Sequence, residues 1–266
     1  MTWPRALIVN QAPNLARGQA LYAGEAPVSD GLLIVNADDW GGSVEVTDAI
    51  ARCMQAGTVT STTALVHFAD AARAAALARE RTWPVGLHLN LTEPFDAAAP
   101  RAARERQARI AERFSDRRFR RLGVDPRLLR PIRDAVAEQL EAFAQLYGGP
   151  PIHVDGHNHI HLNPMVLAAI PAGTKVRGAA EGRGPLRGAR ARWMHRRFRT
   201  TDAFVAIDTA HPALGGAGID DVLRRAATER VELMCHPVRD GELPLLLGDG
   251  WRAALAGLRL GSYAEL

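Results

Sequence analysis

The chain has 266 residues, 47% hydrophobic and 23% charged, which suits an ordinary globular protein of one large domain or two small ones. Its formal charge is +4, and its two cysteines, Cys53 and Cys235, stand in no redox or metal-ligand spacing, which excludes a disulfide scaffold and a thiolate cluster. No apolar run approaches the ~18 residues of a membrane span, and the stretch ALIV near the start is too short for a secretory leader, so a cytoplasmic location is expected.

Residues 1–30 read as a weakly structured arm, and residues 31–266 as one domain in which strands alternate with helices. GLLIVNADD (31–39) is an apolar run ending in polar residues, hence a buried strand leading into a loop. A helix is expected over Val44–Ala56, closed by Gly57, with Ser43 able to cap it. TVTSTTALV (58–66) is β-branched and strand-like, and the alanine-rich stretch Ala69–Arg81 is helical. PVGLHLNL (84–91) is a third strand. An arginine-rich excursion, largely helical and punctuated by Pro126 and Pro131, runs to Tyr147. Ile152–Asp155 is a fourth strand, and Asn163-Pro164 is a helix start with its cap and first-turn proline. Further strands are expected at Thr174–Arg177, Phe204–Asp208 and Val231–Cys235.

Short apolar strands alternating with helices imply a parallel sheet of the α/β class. At this length, and with no Gly-rich phosphate loop after the first strand, a TIM-barrel-like (β/α) barrel is expected rather than an open sheet. Chemistry in such folds sits at the C-terminal ends of the strands. Asp38 and Asp39 close the first strand, His88 and Asn90 the third, Asp155 and His157 the fourth, and His236 the last, so four strands deliver His or Asp to one rim.

HVDGHNHIH (153–161) holds four histidines and an aspartate at alternate positions, which an extended chain would point to one face. Five such positions span roughly 26 Å, whereas a nitrogen ligand sits about 2.1 Å from its ion. At most two neighbours in the row can share one ion, so the other ligands must come from elsewhere. Asp39, His88 and His157 would make a two-His-one-carboxylate set with open positions for water. Taken singly, the Asp38-Asp39 pair also suits a turn or cap, His88 a hydrogen-bonded core histidine, and Cys235, beside His236, a core position.

Four stretches in order, LIVNADDWG, VGLHLNLTEP, HVDGHNHIHLNP and ELMCHP, resemble the YdjC-like carbohydrate deacetylases, which include chitooligosaccharide and hopanoid-biosynthesis deacetylases. The likeness runs from about Gly31 to the GSYAEL end. It implies a deformed (β/α) barrel and hydrolysis of the N-acetyl group of an N-acetylated amino sugar, free or glycolipid-linked, with one divalent ion, Mg2+ or Zn2+. By this resemblance Asp39, His88 and His157 look like the metal ligands and Asp38 the general base; His236 is then the candidate acid that protonates the leaving amine. Of the histidine row only His157 is expected to be a ligand. His159 and His161, together with Asn90, are candidates for substrate binding, and His153 is expected to be structural. Two departures from the family pattern, Val238 where glycine commonly follows the proline of CHPV and LVHFAD at 65–70, lie near the expected substrate rim and bear on sugar specificity more than on the chemistry.

Two other function classes compete: a metal-dependent phosphoesterase, which would use the same His/Asp rim with a second ion, and a non-catalytic carbohydrate-binding protein, for which 6% aromatic residues is a thin supply of stacking surfaces. The basic residues are arginines except for Lys175; residues 101–133 hold twelve against four acids, and 183–199 hold seven against none. They suit either a solvated surface or peripheral contact with an anionic membrane carrying the substrate. Nucleic acid is not an expected partner, because no aromatics interleave. A second copy of the chain, forming a homodimer, is a further candidate.

Overall fold

The computed structural model describes residues 31–179, 192–211 and 218–266. The arm expected over 1–30, and the part of the second arginine segment at 183–191, lie outside the described residues.

Six parallel strands make one sheet: β1 (Leu32–Trp40), β2 (Ser61–Ala64), β3 (Val85–Leu89), β4 (Val154–Gly156), β5 (Ala203–Ala206) and β6 (Arg230–Cys235), in the order β4-β3-β2-β1-β6-β5. β1 is central and buried on both faces, as its apolar run requires. The sheet curls. At one edge β4 bridges to Val176 through Val154, and Lys175 bridges on to Arg199, just ahead of β5 at the other edge. The strand expected at 174–177 is therefore a pair of single bridges, one to β4 and one to Arg199 in the segment that leads into β5. The result is the deformed, partly closed barrel with helices outside.

Local chemistry sets the helices. α1 (Val44–Gln55) starts at Ser43, whose hydroxyl accepts from Val46 N, and is followed by Gly57 at φ +69°, a left-handed turn that glycine adopts without strain. α2 (Ala71–Arg81) packs four alanines inward. The arginine-rich excursion folds into α3 (Arg101–Phe114), α4 (Arg117–Leu122) and α5 (Leu129–Tyr147). α6 (Pro164–Ala169) is capped by Asn163, whose side chain accepts from Met165 N.

The barrel wall separates two environments. Alternate residues Leu33, Val35 and Ala37 of β1 face the main apolar core under the helices, with Cys53 and Cys235 in the same cluster. Leu32 and Ile34 face inward and pack with Tyr263 and Leu266, which plug one end. Above that plug the interior is polar: Asn36, Asp38, Asp155, Arg177 and Glu232 are all buried. Polar layers of this kind are held only when each charge finds a partner.

Candidate metal centre

The two aspartates that close β1 would face opposite ways on a regular strand. Asp39 instead has φ +72°, a left-handed backbone rare for a residue with a side chain, and the β1–β2 register slips between Ala37 and Trp40. That break lets both carboxylates serve the same rim. Asp38 Oδ2 and Asp39 Oδ2 each lie 3.9 Å from His236 Nε2 at the end of β6.

Asp39, His88 and His157 converge: one donor atom from each lies within 4.8 Å of the others. Asp39 Oδ1 is 3.2 Å from His88 Nε2 and 3.1 Å from His157 Nδ1. The opposite ring nitrogens are also held. His88 Nδ1 lies 2.7 Å from Asp155 Oδ1, its cross-strand neighbour in the β3–β4 register, and His157 Nε2 lies 2.9 Å from Glu93 Oε1. A ring that donates through one nitrogen to a carboxylate presents the lone pair of the other, which is how metal-binding histidines are oriented. The donor set thus fits a small divalent ion. Burial alone would lower the pKa of His88, but Asp155 and Asp38 outweigh it and hold the ring well above its ordinary range. Burial would raise that of Asp39, but hydrogen bonds from His157 and His88 pull it far down. Binding a cation here would release the imidazole protons.

Asp38 has a different environment. Arg177 donates from Nη1 to Oδ2 at 2.8 Å and from Nη2 to Oδ1 at 2.6 Å, and Asn36 adds a bond to Oδ1 at 3.0 Å. Burial opposes ionisation of Asp38, yet Arg177 overrides it and keeps the carboxyl below its usual range. Arg177 also reaches Asp155 Oδ2 at 2.7 Å and Glu232 Oε1 at 2.8 Å, and Tyr263 donates its hydroxyl to the other oxygen of Glu232. Thr63 joins Asp38 to Asp155 from below.

Of the three residues expected to bind substrate, His159 stands at the cleft, while Asn90 and His161 are buried. His159 lines the cleft together with Ala206, Asp208, Thr209, Met234 and Arg239, on a left-handed backbone at φ +56°. Asn90 does not reach the cleft. Its side chain accepts from Thr92 N and Glu93 N and donates to Glu93 O, each at 3.0 Å, so it shapes the turn that carries Glu93. His161 is fully buried away from the cleft lining, and both its ring nitrogens are without a hydrogen-bond partner among the described residues. The expected row of imidazoles is cut short because β4 ends at Gly156. His157–Leu162 is then a 3-10 turn with left-handed Asn158 and His159. A side chain at 156 would meet His161 N at 2.8 Å, so glycine is needed there. His153 is structural: its ring stacks on Tyr263 with centroids 3.8 Å apart.

Sequence reasoning missed Arg177, Glu232, Asp155 as the partner of His88, and Glu93. Glu232 left a signal, a lone charge inside the apolar run VELMC; Arg177 left only its place at the end of a short expected strand.

A family model described as YdjC-like protein matches residues 32–254. A chitooligosaccharide deacetylase of Serratia marcescens is 31% identical over 259 residues, covering 88% of this chain and 99% of that protein. A carbohydrate deacetylase of Mus musculus is 33% identical over 243 residues, 77% of each chain. Among solved structures, an Enterococcus faecalis protein assigned to cellobiose-phosphate cleavage superposes with a TM-score of 0.67 at 22% identity, covering 88% of this chain and 98% of that one, a likeness of fold.

Proposed function

The chain belongs to the YdjC-like protein family, and on that premise we propose that it is a metal-dependent deacetylase that hydrolyses the N-acetyl group of an amino sugar in an oligosaccharide or glycolipid. The observation that carries this reading is the convergence of Asp39, His88 and His157, with His88 oriented from behind by Asp155. These three residues would hold one divalent ion, Mg2+ or Zn2+, which when bound supplies Lewis-acid polarisation and a water of lowered pKa.

The remaining steps belong to the side chains around it. Asp38, ionised by Arg177 and facing the cleft, accepts the proton of the attacking water. The amide C–N bond breaks as His236 delivers a proton to the leaving nitrogen, giving acetate and a free amine. His159, with Asp208 and Arg239, borders the space the sugar enters. A two-metal phosphoesterase would need Asp155 as a bridging ligand, but Arg177, His88 and Thr63 already occupy its oxygens.

Acetate release from a panel of N-acetylated oligosaccharides and glycolipids, with and without a chelator, tests the reading. Release that is abolished by chelation and restored by a divalent ion is expected. Phosphate release from sugar phosphates with no acetate from any substrate would replace it with the phosphoesterase reading.

A further inference from the structure

The turn joining α4 to α5 presents three features together. Leu122, Val124 and Leu129 are 66%, 59% and 41% exposed, half of the large apolar side chains so exposed among the described residues. Residues 116–133 carry seven arginines against two aspartates. Both aspartates are engaged as caps, Asp116 accepting from Arg118 N and Phe119 N and Asp125 from Arg127 N. None of Arg117, Arg118, Arg120, Arg121 and Arg127 has an ion-pair partner among the described residues, although ion pairs are common elsewhere on this surface.

The turn is also anchored to the fold. The side-chain amide of Asn163 donates to Phe119 O, Arg120 O and Gly123 O at 3.1–3.3 Å, and Phe119 is held between Phe114 and the Arg113 guanidinium. An apolar tip ringed by unpaired guanidiniums, anchored in this way, loses little freedom on docking.

We propose that this turn is a docking surface for an anionic lipid bilayer. Aliphatic tips enter the boundary between headgroups and acyl chains, while arginines pair with headgroup phosphates and are drawn by the negative surface. A nucleic acid would use the arginines but gain nothing from exposed Leu122, Val124 and Leu129, and Phe119 is not free to stack on a base. α4 packs on the 157–162 turn, whose first residues His157 and His159 stand at the cleft. A lipid-anchored sugar would therefore be presented near the site, an extension that rests on the deacetylase reading; the docking itself does not.

Co-sedimentation of the full chain with phosphatidylcholine vesicles, with and without phosphatidylserine, tests the proposal. Binding only to the anionic vesicles, weakening steeply with salt, is expected. Arg117→Glu/Arg121→Glu/Arg127→Glu should lower the affinity about a hundredfold. The charge-neutral Leu122→Ser/Val124→Ser/Leu129→Ser should lower it about tenfold or more, with thermal unfolding and acetate release from a soluble oligosaccharide unchanged in both variants. Failure to bind anionic vesicles at low salt, or equal binding to neutral ones, overturns the proposal. So does full binding by the serine variant, which would mark the surface as a site for a polyanion such as nucleic acid. If the unaltered chain binds vesicles but releases no acetate from any sugar, the deacetylase reading fails and the docking surface stands.

Discussion

Arg177 grips Asp38 with two nitrogens, Nη1 to Oδ2 at 2.8 Å and Nη2 to Oδ1 at 2.6 Å, and both side chains are buried. The same guanidinium meets Asp155 and Glu232, so one cation is shared by the carboxylate proposed as base, the carboxylate that orients a ligand, and Glu232, whose burial pushes its own pKa up to about 7. Replacing Arg177 by Met should leave those charges without their cation and cost roughly 3–5 kcal/mol or more, read as a lowered midpoint in chemical denaturation. Tyr263→Phe removes one donor to Glu232 and should cost about 1–3 kcal/mol. A Met variant as stable as the unaltered chain would show that the cluster is not held together by Arg177.

Metal analysis of purified variants separates direct ligands from orienting groups. Asp39→Ala, His88→Ala and His157→Ala should each lose the ion. Asp155→Asn, which keeps the size but weakens the grip on His88 Nδ1, should retain it with affinity reduced about 10–100-fold. Full occupancy in His157→Ala would remove that residue from the ligand set.

The two adjacent aspartates should fail differently. Asp38→Asn cannot accept a proton and should lose about 10²–10⁴-fold in turnover while binding the ion normally. Asp39→Asn should weaken the ion itself, and added metal should recover part of the rate. Turnover near that of the unaltered chain in Asp38→Asn would require another base.

His236 lies beside both aspartates, with Nε2 at 3.4 Å from Arg239 Nη2 and its backbone N–H donated to Glu242. As the group that protonates the leaving amine, it should matter little where no proton is needed. His236→Ala should cut amide hydrolysis sharply and hydrolysis of an activated ester much less. Equal losses on both substrates would assign the acid elsewhere.

His153 and His161 are fully buried, and burial pushes each down to about 3 from an ordinary value near 6.5. The fold therefore favours their neutral forms. Their contribution to stability is complete above pH 6.5 and is lost as pH falls from there toward 3, on the order of 5 kcal/mol each over the full window. Unfolding free energy measured across that range should decline with acidification. His161→Leu should flatten the slope by about 1.4 kcal/mol per pH unit, the value for one proton. An unchanged slope would mean that His161 is not held neutral.

Much of the site is legible in the sequence. Asp38, Asp39, His88 and His236 each follow an apolar strand run, and a parallel sheet brings strand ends to one rim, so their meeting follows from pattern alone. The histidine row was legible only to its first turn. Alternation predicts one face for 153–161, but β4 ends at Gly156, and the left-handed pair Asn158 and His159 sends His161 into the interior while His159 stays at the cleft. Nor does the sequence show that the side chain of Asn90 is engaged in the turn after β3, where it bonds to Thr92 and Glu93.

The sequence by itself determined the strand–helix alternation, the burial of Cys235 and the convergence of the strand-end carboxylates and histidines, because these depend on local periodicity and on the direction of parallel strands. Tertiary structure alone decided which groups neutralise one another. Arg177 lies 139 residues from Asp38 in the chain, and Glu232 lies 55 from Arg177. Those partnerships arise only when the barrel curls and removes water from its interior, where a charge that mattered little on the strand surface must find its opposite.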